Sequence, residues 1–437
     1  MSTKTKHLTI LFIISFLTHF LFLTYPQEVV FDEVHFGKFV TYYFTHNFYF
    51  DIHPPLGKLI IAFFAYLLGY QPKSEIKFDH IGEPVPKEVL FTLRFAPALF
   101  GVLFIILIYK LILLFGFSER TAFFGGLIFA FENGILIQSK FIFLDIFLIF
   151  FGFLALYFFF SSQKERGLKS FLLFLLSSIF ATFAFSIKWT GLTFFLLIVG
   201  SFYVISVFKT PFWKFFLKLV IFLSVSFLIY FLIFWIHFSL LNYSGPGDPF
   251  MSQRFQKSLM GNKIEKEVKP LSILGKFIEL NWVMLKHNLH FEASHPYSSK
   301  WYQWPFMIKP IWYWSKKIDN KMGNIYFLGN FTIWILVLFA IFKSLMLIFK
   351  KSSPKDILWP VVFTLIGYFT NLISFIFVTR ICFLYHYLPA LCFGMLNFIF
   401  LSEKTLKSKT KIFLLILIII NFFLFSPVTY GFLIPQK

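Results

Sequence analysis

The chain has 437 residues, of which 58% are hydrophobic and 14% charged, with a mean hydropathy of +0.77. A soluble fold of this size cannot bury that much apolar surface, so a water-soluble enzyme or binding module is excluded and an integral membrane protein is expected. The formal charge of +20 would suggest nucleic acid in a soluble chain, but here many of the lysines sit in short loops between apolar runs. Nucleic acid is therefore set aside, and membrane lipids, including an anionic surface, are the expected partners.

In chain order, apolar runs predict eleven transmembrane helices, near residues 8–25, 90–115, 121–138, 140–160, 170–188, 189–208, 214–237, 325–349, 356–378, 382–401 and 411–430. The first run follows Lys4 and Lys6 and resembles a secretion signal. No small-x-small cleavage pattern follows it, so it reads as a retained anchor. The 72 phenylalanines stand in for leucine in lipid and need no stacking role. Cys382 and Cys392 fall in one apolar run and form no disulfide framework or redox motif.

With eleven spans, the basic short-loop residues share one face: Lys4 and Lys6; Lys164, Arg166 and Lys169; Lys209 and Lys214; Lys350, Lys351 and Lys355; Lys404, Lys407, Lys409 and Lys411. That face is expected to be cytoplasmic, with the N-terminus on it. The opposite, external face holds two long loops, residues 26–89 and 238–324. No internal repeat or low-complexity linker divides the chain, so residues 1–437 read as a single membrane domain with two external lobes.

The first external loop opens with Phe31-Asp32-Glu33-Val34-His35-Phe36-Gly37. Adjacent carboxylates diverge on any regular backbone, so one can act as a base while the other orients or binds. The bland reading is a solvated acidic loop. Next comes Asp51-Ile52-His53-Pro54-Pro55-Leu56-Gly57-Lys58, where the prolines stop any preceding helix and an interfacial helix can begin near residues 59–68. Charges then recur within or at the ends of spans: Arg94, Glu132, Lys140, Asp145, Lys188 and Arg380. Such residues are costly in lipid and are paired or functional. Lys140 and Asp145 read as a structural pair. Arg94, Lys188 and Arg380 have no sequence-adjacent partner, and all three fall on the external side. Together they suit a phosphate leaving group, against the bland reading of headgroup snorkelling.

The second loop carries His287, His290, Glu292 and His295 within a short stretch. A divalent metal is thinkable from composition, but the spacing matches no standard ligand pattern, and none is assigned. Trp301, Trp304, Trp312 and Trp314, with Tyr297, Tyr302 and Tyr313, read as an interfacial aromatic belt or as the wall of a cleft.

These motifs together resemble the protein O-mannosyltransferases (glycosyltransferase family 39, GT-C superfamily). The resemblance is carried by Asp32-Glu33-Val34-His35-Phe36-Gly37 and Asp51-Ile52-His53-Pro54-Pro55-Leu56-Gly57-Lys58. It continues through Leu93-Arg94-Phe95-Ala96-Pro97, Glu132-Asn133, Gln138-Ser139-Lys140, Leu144-Asp145, Lys188-Trp189-Thr190-Gly191, His295-Pro296-Tyr297-Ser298-Ser299, Trp304-Pro305 and Tyr385-His386-Tyr387-Leu388-Pro389. It implies an all-α GT-C membrane fold with about eleven helices and two large external loops. It also implies inverting transfer of mannose from a polyprenyl (dolichyl-type) phosphate to Ser/Thr hydroxyls of exported proteins, with no required cofactor.

By that resemblance Asp32 is the base or the acceptor-orienting carboxylate, with Glu33 beside it, and Arg94 helps bind the donor phosphate. Lys188 and Arg380 join Arg94 by the charge argument. His35 and His53 are candidate substrate ligands, and His295, Tyr297, Trp304 and His386 are candidate walls of the acceptor or sugar cleft. The loop 238–324 is too short for the β-trefoil (MIR) module of eukaryotic members alongside its own motifs, so the chain resembles a short, prokaryote-type member. A Sec translocon delivering the acceptor is a candidate partner, and the inner (plasma) membrane the expected location. Two rivals stand beside this reading: a lipid-linked sugar transferase acting on lipid A or a surface glycan, and a transporter. A transporter should show midplane charges and repeat-related broken helices.

Overall fold

The computed structural model describes residues 2–207, 211–290, 294–348, 355–378 and 380–435. Lys209, Lys350 and Lys351, Glu292 and the side chains of His290 and Lys355 lie outside the described residues.

The helices α1 (Thr3–Phe20), α2 (Glu33–Thr45), α3 (Leu56–Leu67), α4 (Lys87–Leu114), α5 (Glu119–Ala130), α6 (Asn133–Lys140), α7 (Asp145–Ser162), α8 (Gly167–Phe185), α9 (Leu192–Val207) and α10 (Phe212–Leu240) make up the first part of the chain. A short α11 (Gln253–Gln256) and α12 (Ile273–His290) follow. The strands β1 (Ile311–Ile318) and β2 (Lys321–Phe327) come next. Then come α13 (Phe331–Ile348), α14 (Lys355–Ile373), α15 (Leu388–Thr405), α16 (Ser408–Tyr430) and β3 (Ile434–Pro435).

Among the described residues nine helices are long and apolar enough to cross a membrane, and the pair α5–α6, bent by 61°, makes ten if taken as one span. The first predicted run corresponds to α1, whose 18 residues include Lys4, Lys6, His7 and His19 and which is not among the nine. The expected fold is otherwise recovered span for span. A small antiparallel sheet ordered β1-β2-β3 is the one departure from an all-α architecture among the described residues.

The bend between α5 and α6 shows how a membrane interior tolerates a broken helix. Unpaired backbone groups are expensive in lipid, so a break needs a side chain to complete them. Glu132 caps α6, accepting from Ile135 N (2.6 Å), and also receives Asn330 N (2.9 Å) and the Trp334 indole N–H (3.1 Å). One fully buried carboxylate thereby ties the break to the start of α13. α15 is the most enclosed span, with 94% of its apolar window buried, while α10 and α16 face mainly outward.

The two long loops are stitched together beneath the site. Val29 N donates to Glu83 O (2.9 Å) and Phe31 N to Tyr313 O (3.1 Å), so the segment before Asp32 is held by loop 1 on one side and by β1 on the other. Trp314 donates its indole N–H to Glu28 Oε2 (2.8 Å), and Lys316 pairs with Glu28. The expected aromatic belt is therefore corrected in part: Tyr313 and Trp314 are fully buried props of the hairpin against loop 1, while Tyr302 is 51% exposed. Replacing Glu132 by Leu strands three donors at the α5–α6 break, at about 1–3 kcal/mol each. Thermal unfolding in detergent is expected to show a marked loss of stability for this variant.

Candidate active site

The fold gathers at one end of the bundle the start of α2, the Asp51–Lys58 turn, the start of α7, the turn between α8 and α9, and the residues entering α15. The site begins with a strained backbone. Phe31 has φ of 45°, a left-handed conformation that a bulky side chain adopts only when its surroundings impose it. Its ring stacks on Tyr313 (4.2 Å, 9°), and Tyr313 in turn accepts from Gln138 (2.7 Å). This places Asp32 at the N-cap of α2, half-buried and making no capping hydrogen bond.

Glu33 faces the other way. It is fully buried and receives Arg94 Nε on Oε1 and Nη2 on Oε2, both at 2.8 Å. Its oxygens also accept from Val30 N (2.9 Å) and Ile142 N (3.0 Å). Arg94 spends its remaining hydrogens on the carbonyls of Leu23 (3.3 Å), Pro26 (3.0 Å) and Glu28 (2.9 Å). All five guanidinium N–H groups are thus committed within the protein. Two expectations are corrected by this: Arg94 has no donor for a phosphate, and Glu33 has no free oxygen for catalysis. Together they form a clamp that fixes loop 1, α4 and the α6–α7 connection around Asp32.

The pairing expected between Lys140 and Asp145 is also corrected. Phe141 leaves α6 in an extended conformation (ψ 174°), so the residues on either side separate. Lys140 donates to Tyr25 O (2.6 Å). Asp145 instead receives Lys188 on both oxygens, at 2.8 and 2.9 Å. Lys188 sits in a tight turn that needs glycine at position 191, where a Cβ would lie 2.5 Å from the Ala184 carbonyl. Its ammonium also lies 5.1 Å from the centre of the Tyr385 ring.

Asp51 pairs with Lys58, which also donates to His53 O (2.9 Å). Sequence reading took this stretch as a turn and a helix start and missed the ion pair, although the seven-residue spacing across a Pro-Pro turn was its visible signal. The charges that bear on Asp32 come from three elements. Burial pushes its carboxyl up to about 7, Lys188 opposes that, and Asp145 and Asp51 add to it. His53 is held well below its usual value by burial and by the cations Lys188, Arg380 and Lys58, so it is neutral at pH 7. His35 is exposed on α2.

Arg380 is half-buried and makes no ion pair among the described residues. It lines a cavity of about 570 Å³ with Lys300, Lys309, Tyr302 and Cys382. The loop 295–299 docks beside it, with Ser299 N donating to Cys382 O (2.9 Å) and the His295 ring edge-on to Phe383 (5.0 Å). Tyr297 is partly buried in that loop. Trp304 is fully buried, donating to Ser299 Oγ (3.0 Å) and stacked on His386 (6.0 Å, 17°), which itself stacks on Tyr385 (4.5 Å). Trp304 is itself part of the wall of that cavity, and His386 stacks against it from outside the lining. A second cavity, of about 620 Å³, is almost wholly apolar and lies between α3 and α10, lined by Leu56, Leu59, Phe63, Ile233 and Ile236 among others.

A membrane bundle with an acid–base cluster at one end of its spans fits the GT-C glycosyltransferase class that the sequence motifs resemble, and comparison with known proteins gives the family. Residues 9–242 match the family described as dolichyl-phosphate-mannose-protein mannosyltransferase, and residues 273–437 match the C-terminal four-transmembrane region of protein O-mannosyltransferases. The chain belongs to the protein O-mannosyltransferase family, glycosyltransferase family 39.

It is 32% identical over 280 residues to dolichyl-phosphate-mannose–protein mannosyltransferase 4 of Candida albicans, covering 60% of this chain and 37% of that protein. Against mannosyltransferase 1 of Saccharomyces cerevisiae it is 33% identical over 291 residues, covering 63% and 35% respectively. The matched region thus spans little more than a third of these relatives' length. In structure the chain is similar to the S. cerevisiae Pmt1–Pmt2 complex bound to the sugar donor, with TM-score 0.90 and 22% identity over 99% of this chain and 90% of that one. It is also similar to ArnT from Cupriavidus metallidurans, with TM-score 0.57 and 15% identity over 94% and 61%. These two likenesses concern the fold.

Replacing Arg94 by Met leaves the Glu33 carboxylate buried and unpaired, a change that costs about 3–5 kcal/mol in comparable buried pairs. Arg94→Lys cannot rebuild the fork. Both variants are expected to unfold well below the wild-type temperature, whereas Arg380→Met should keep it.

Proposed function

We propose that the chain transfers mannose from a polyprenyl-phosphate mannose donor to Ser or Thr hydroxyls of exported proteins, with inversion, at the external face of the inner (plasma) membrane. Its N-terminus is then cytoplasmic. The observation that carries this reading is Asp32: a half-buried carboxylate raised to about 7, facing Lys188, Asp145 and Asp51. A base with that value is half-deprotonated near neutral pH and strong enough to accept a hydroxyl proton in the transition state.

In this reaction the acceptor oxygen attacks the anomeric carbon from the face opposite the phosphate. The new carbon–oxygen bond forms as the bond to the phosphate oxygen breaks, the proton passes to Asp32, and polyprenyl phosphate leaves. The leaving group carries its charge away, so no protonating acid is required. Arg380, which makes no ion pair among the described residues, is the cation suited to stabilise it, since Lys188 is already held by Asp145. The apolar cavity between α3 and α10 offers the lipid tail a seat beside the Asp51–Lys58 turn. The basic cavity lined by Lys300, Lys309 and Arg380 offers room for an acceptor chain. Family membership and the curated relatives' names support the donor and the acceptor class.

The test is transfer of radiolabelled mannose from polyprenyl-phosphate mannose to membrane and exported protein, comparing the wild type with Asp32→Asn. The expected result is label in protein, released by β-elimination, and a fall of about 10²–10⁴-fold in the variant, the usual contribution of a general base. Label in lipid or glycan would replace the acceptor in this reading, and near-normal transfer by Asp32→Asn would remove the base.

A further inference from the structure

Sequence reading placed residues 273–290 in an external lobe, and α12 has a face built for a surrounding other than water. At about 100° per residue its side chains divide into three faces. Phe277, Leu280, Asn281, Met284, His287 and Asn288 turn toward the protein. Lys276, Glu279 and Lys286 lie on a second, polar arc. Leu274, Ile278, Trp282, Leu285 and Leu289 fill a third arc of about 80° that holds no charge, and all five are exposed, Trp282 at 66% and Ile278 at 59%.

The protein-facing side locates this helix. Phe277 packs against Phe227 (6.4 Å), Tyr230 (5.9 Å), Phe231 (5.3 Å) and Phe234 (5.3 Å) of α10. Asn281 Oδ1 accepts from the Tyr230 hydroxyl (2.7 Å). α10 has 29 residues, about 43 Å at 1.5 Å per residue, more than the ~30 Å of hydrocarbon it crosses. Its exposed Lys218 suits the edge of the hydrocarbon at the far end. Residues 227–234 then lie ~14–24 Å along the axis, inside the bilayer's span. The side of α10 turned away from the protein at that depth is apolar and exposed, with Phe227 at 62% and Leu228 at 55% exposure.

We infer that α12 lies in the plane of the membrane, with its Leu274–Ile278–Trp282–Leu285–Leu289 arc set into the lipid of the leaflet on the active-site side. On the polar arc, Glu279 accepts from Ser252 N (2.6 Å) and Ser252 Oγ (2.8 Å), and Lys276 lies 5.1 Å from the Phe238 ring centre, so the external loop covers that side. The exposed Lys286 is then the residue that meets the headgroups, as in interfacial amphipathic helices. Its protein face closes the site: Leu280 and Met284 wall the Asp51–Lys58 pair, and Asn288 donates to Ile52 O (2.9 Å). Lipid contact on one side of α12 and the Asp51–Lys58 turn on the other join the bilayer to the catalytic cluster through a single helix.

The experiment uses single-site variants Ile278→Cys, Trp282→Cys, Lys286→Cys and Lys73→Cys of the full chain, nitroxide-labelled and reconstituted in phospholipid nanodiscs. Native Cys382 and Cys392 are buried, and the unsubstituted protein supplies their background. Collision with apolar oxygen relative to a water-soluble nickel chelate is expected to be severalfold higher at 278 and 282 than at 286 and 73. Equal nickel accessibility at 278, 282 and 73 would overturn the inference and return α12 to an aqueous lobe.

Discussion

The Glu33–Arg94 ion pair is the interaction on which the rest of the site depends. Two charges fully removed from water are tolerable only when every lone pair and proton is matched, and here each is. The carboxylate holds Val30 and Ile142 as well as the guanidinium, and the guanidinium holds three carbonyls of residues 23–28. Three separate pieces of chain, loop 1 with its α2, α4 and the α6–α7 connection, therefore share one anchor. Because adjacent side chains diverge, burying Glu33 so firmly turns Asp32 out toward the cleft. The conspicuous Asp-Glu pair is one structural carboxylate and one available for chemistry.

A second tier of pairs tunes that available carboxylate. Lys188–Asp145 and Lys58–Asp51 are each locally balanced, so they set a field around Asp32 without flooding it with one sign. Burial raises its proton affinity, Lys188 restrains the rise, and the two aspartates add to it. Neutral His53 stands in the same cluster. Arg380, with no ion pair among the described residues, keeps its charge for something else at the same face, and a departing phosphate suits it.

Much of this was legible in the sequence because membranes enforce simple rules. Apolar runs located the spans, and intramembrane charges marked the right residues. What the residues alone hid was pairing. Glu33 and Arg94 are 61 positions apart, and Asp145 and Lys188 are 43 apart. The nearest opposite charge in sequence, Lys140, is carried away by the extended backbone at Phe141. Isolated charges therefore read as free cations when two of the three were already committed. α12 was missed for a different reason. Its apolar residues are split between a protein face and an exposed face, with Lys276, Glu279 and Lys286 between them, so no long apolar run betrays it. The hairpin aromatics misled in the opposite sense, since Tyr313 and Trp314 pack inward against Phe31 and Glu28 and face no headgroups.

The measurement that bears most directly on Asp32 as the base is the pH dependence of kcat/KM for mannosyl transfer. A base must be deprotonated to act, so with its folded-state value near 7 activity should fall about tenfold per pH unit below pH 7 and level off above it. Asp51→Asn, which removes one of the charges raising Asp32, should move the break toward lower pH. A profile flat from pH 5 to 8, or a break near the ordinary carboxylate value of about 4, would contradict a buried, field-tuned Asp32 at the centre of the reaction.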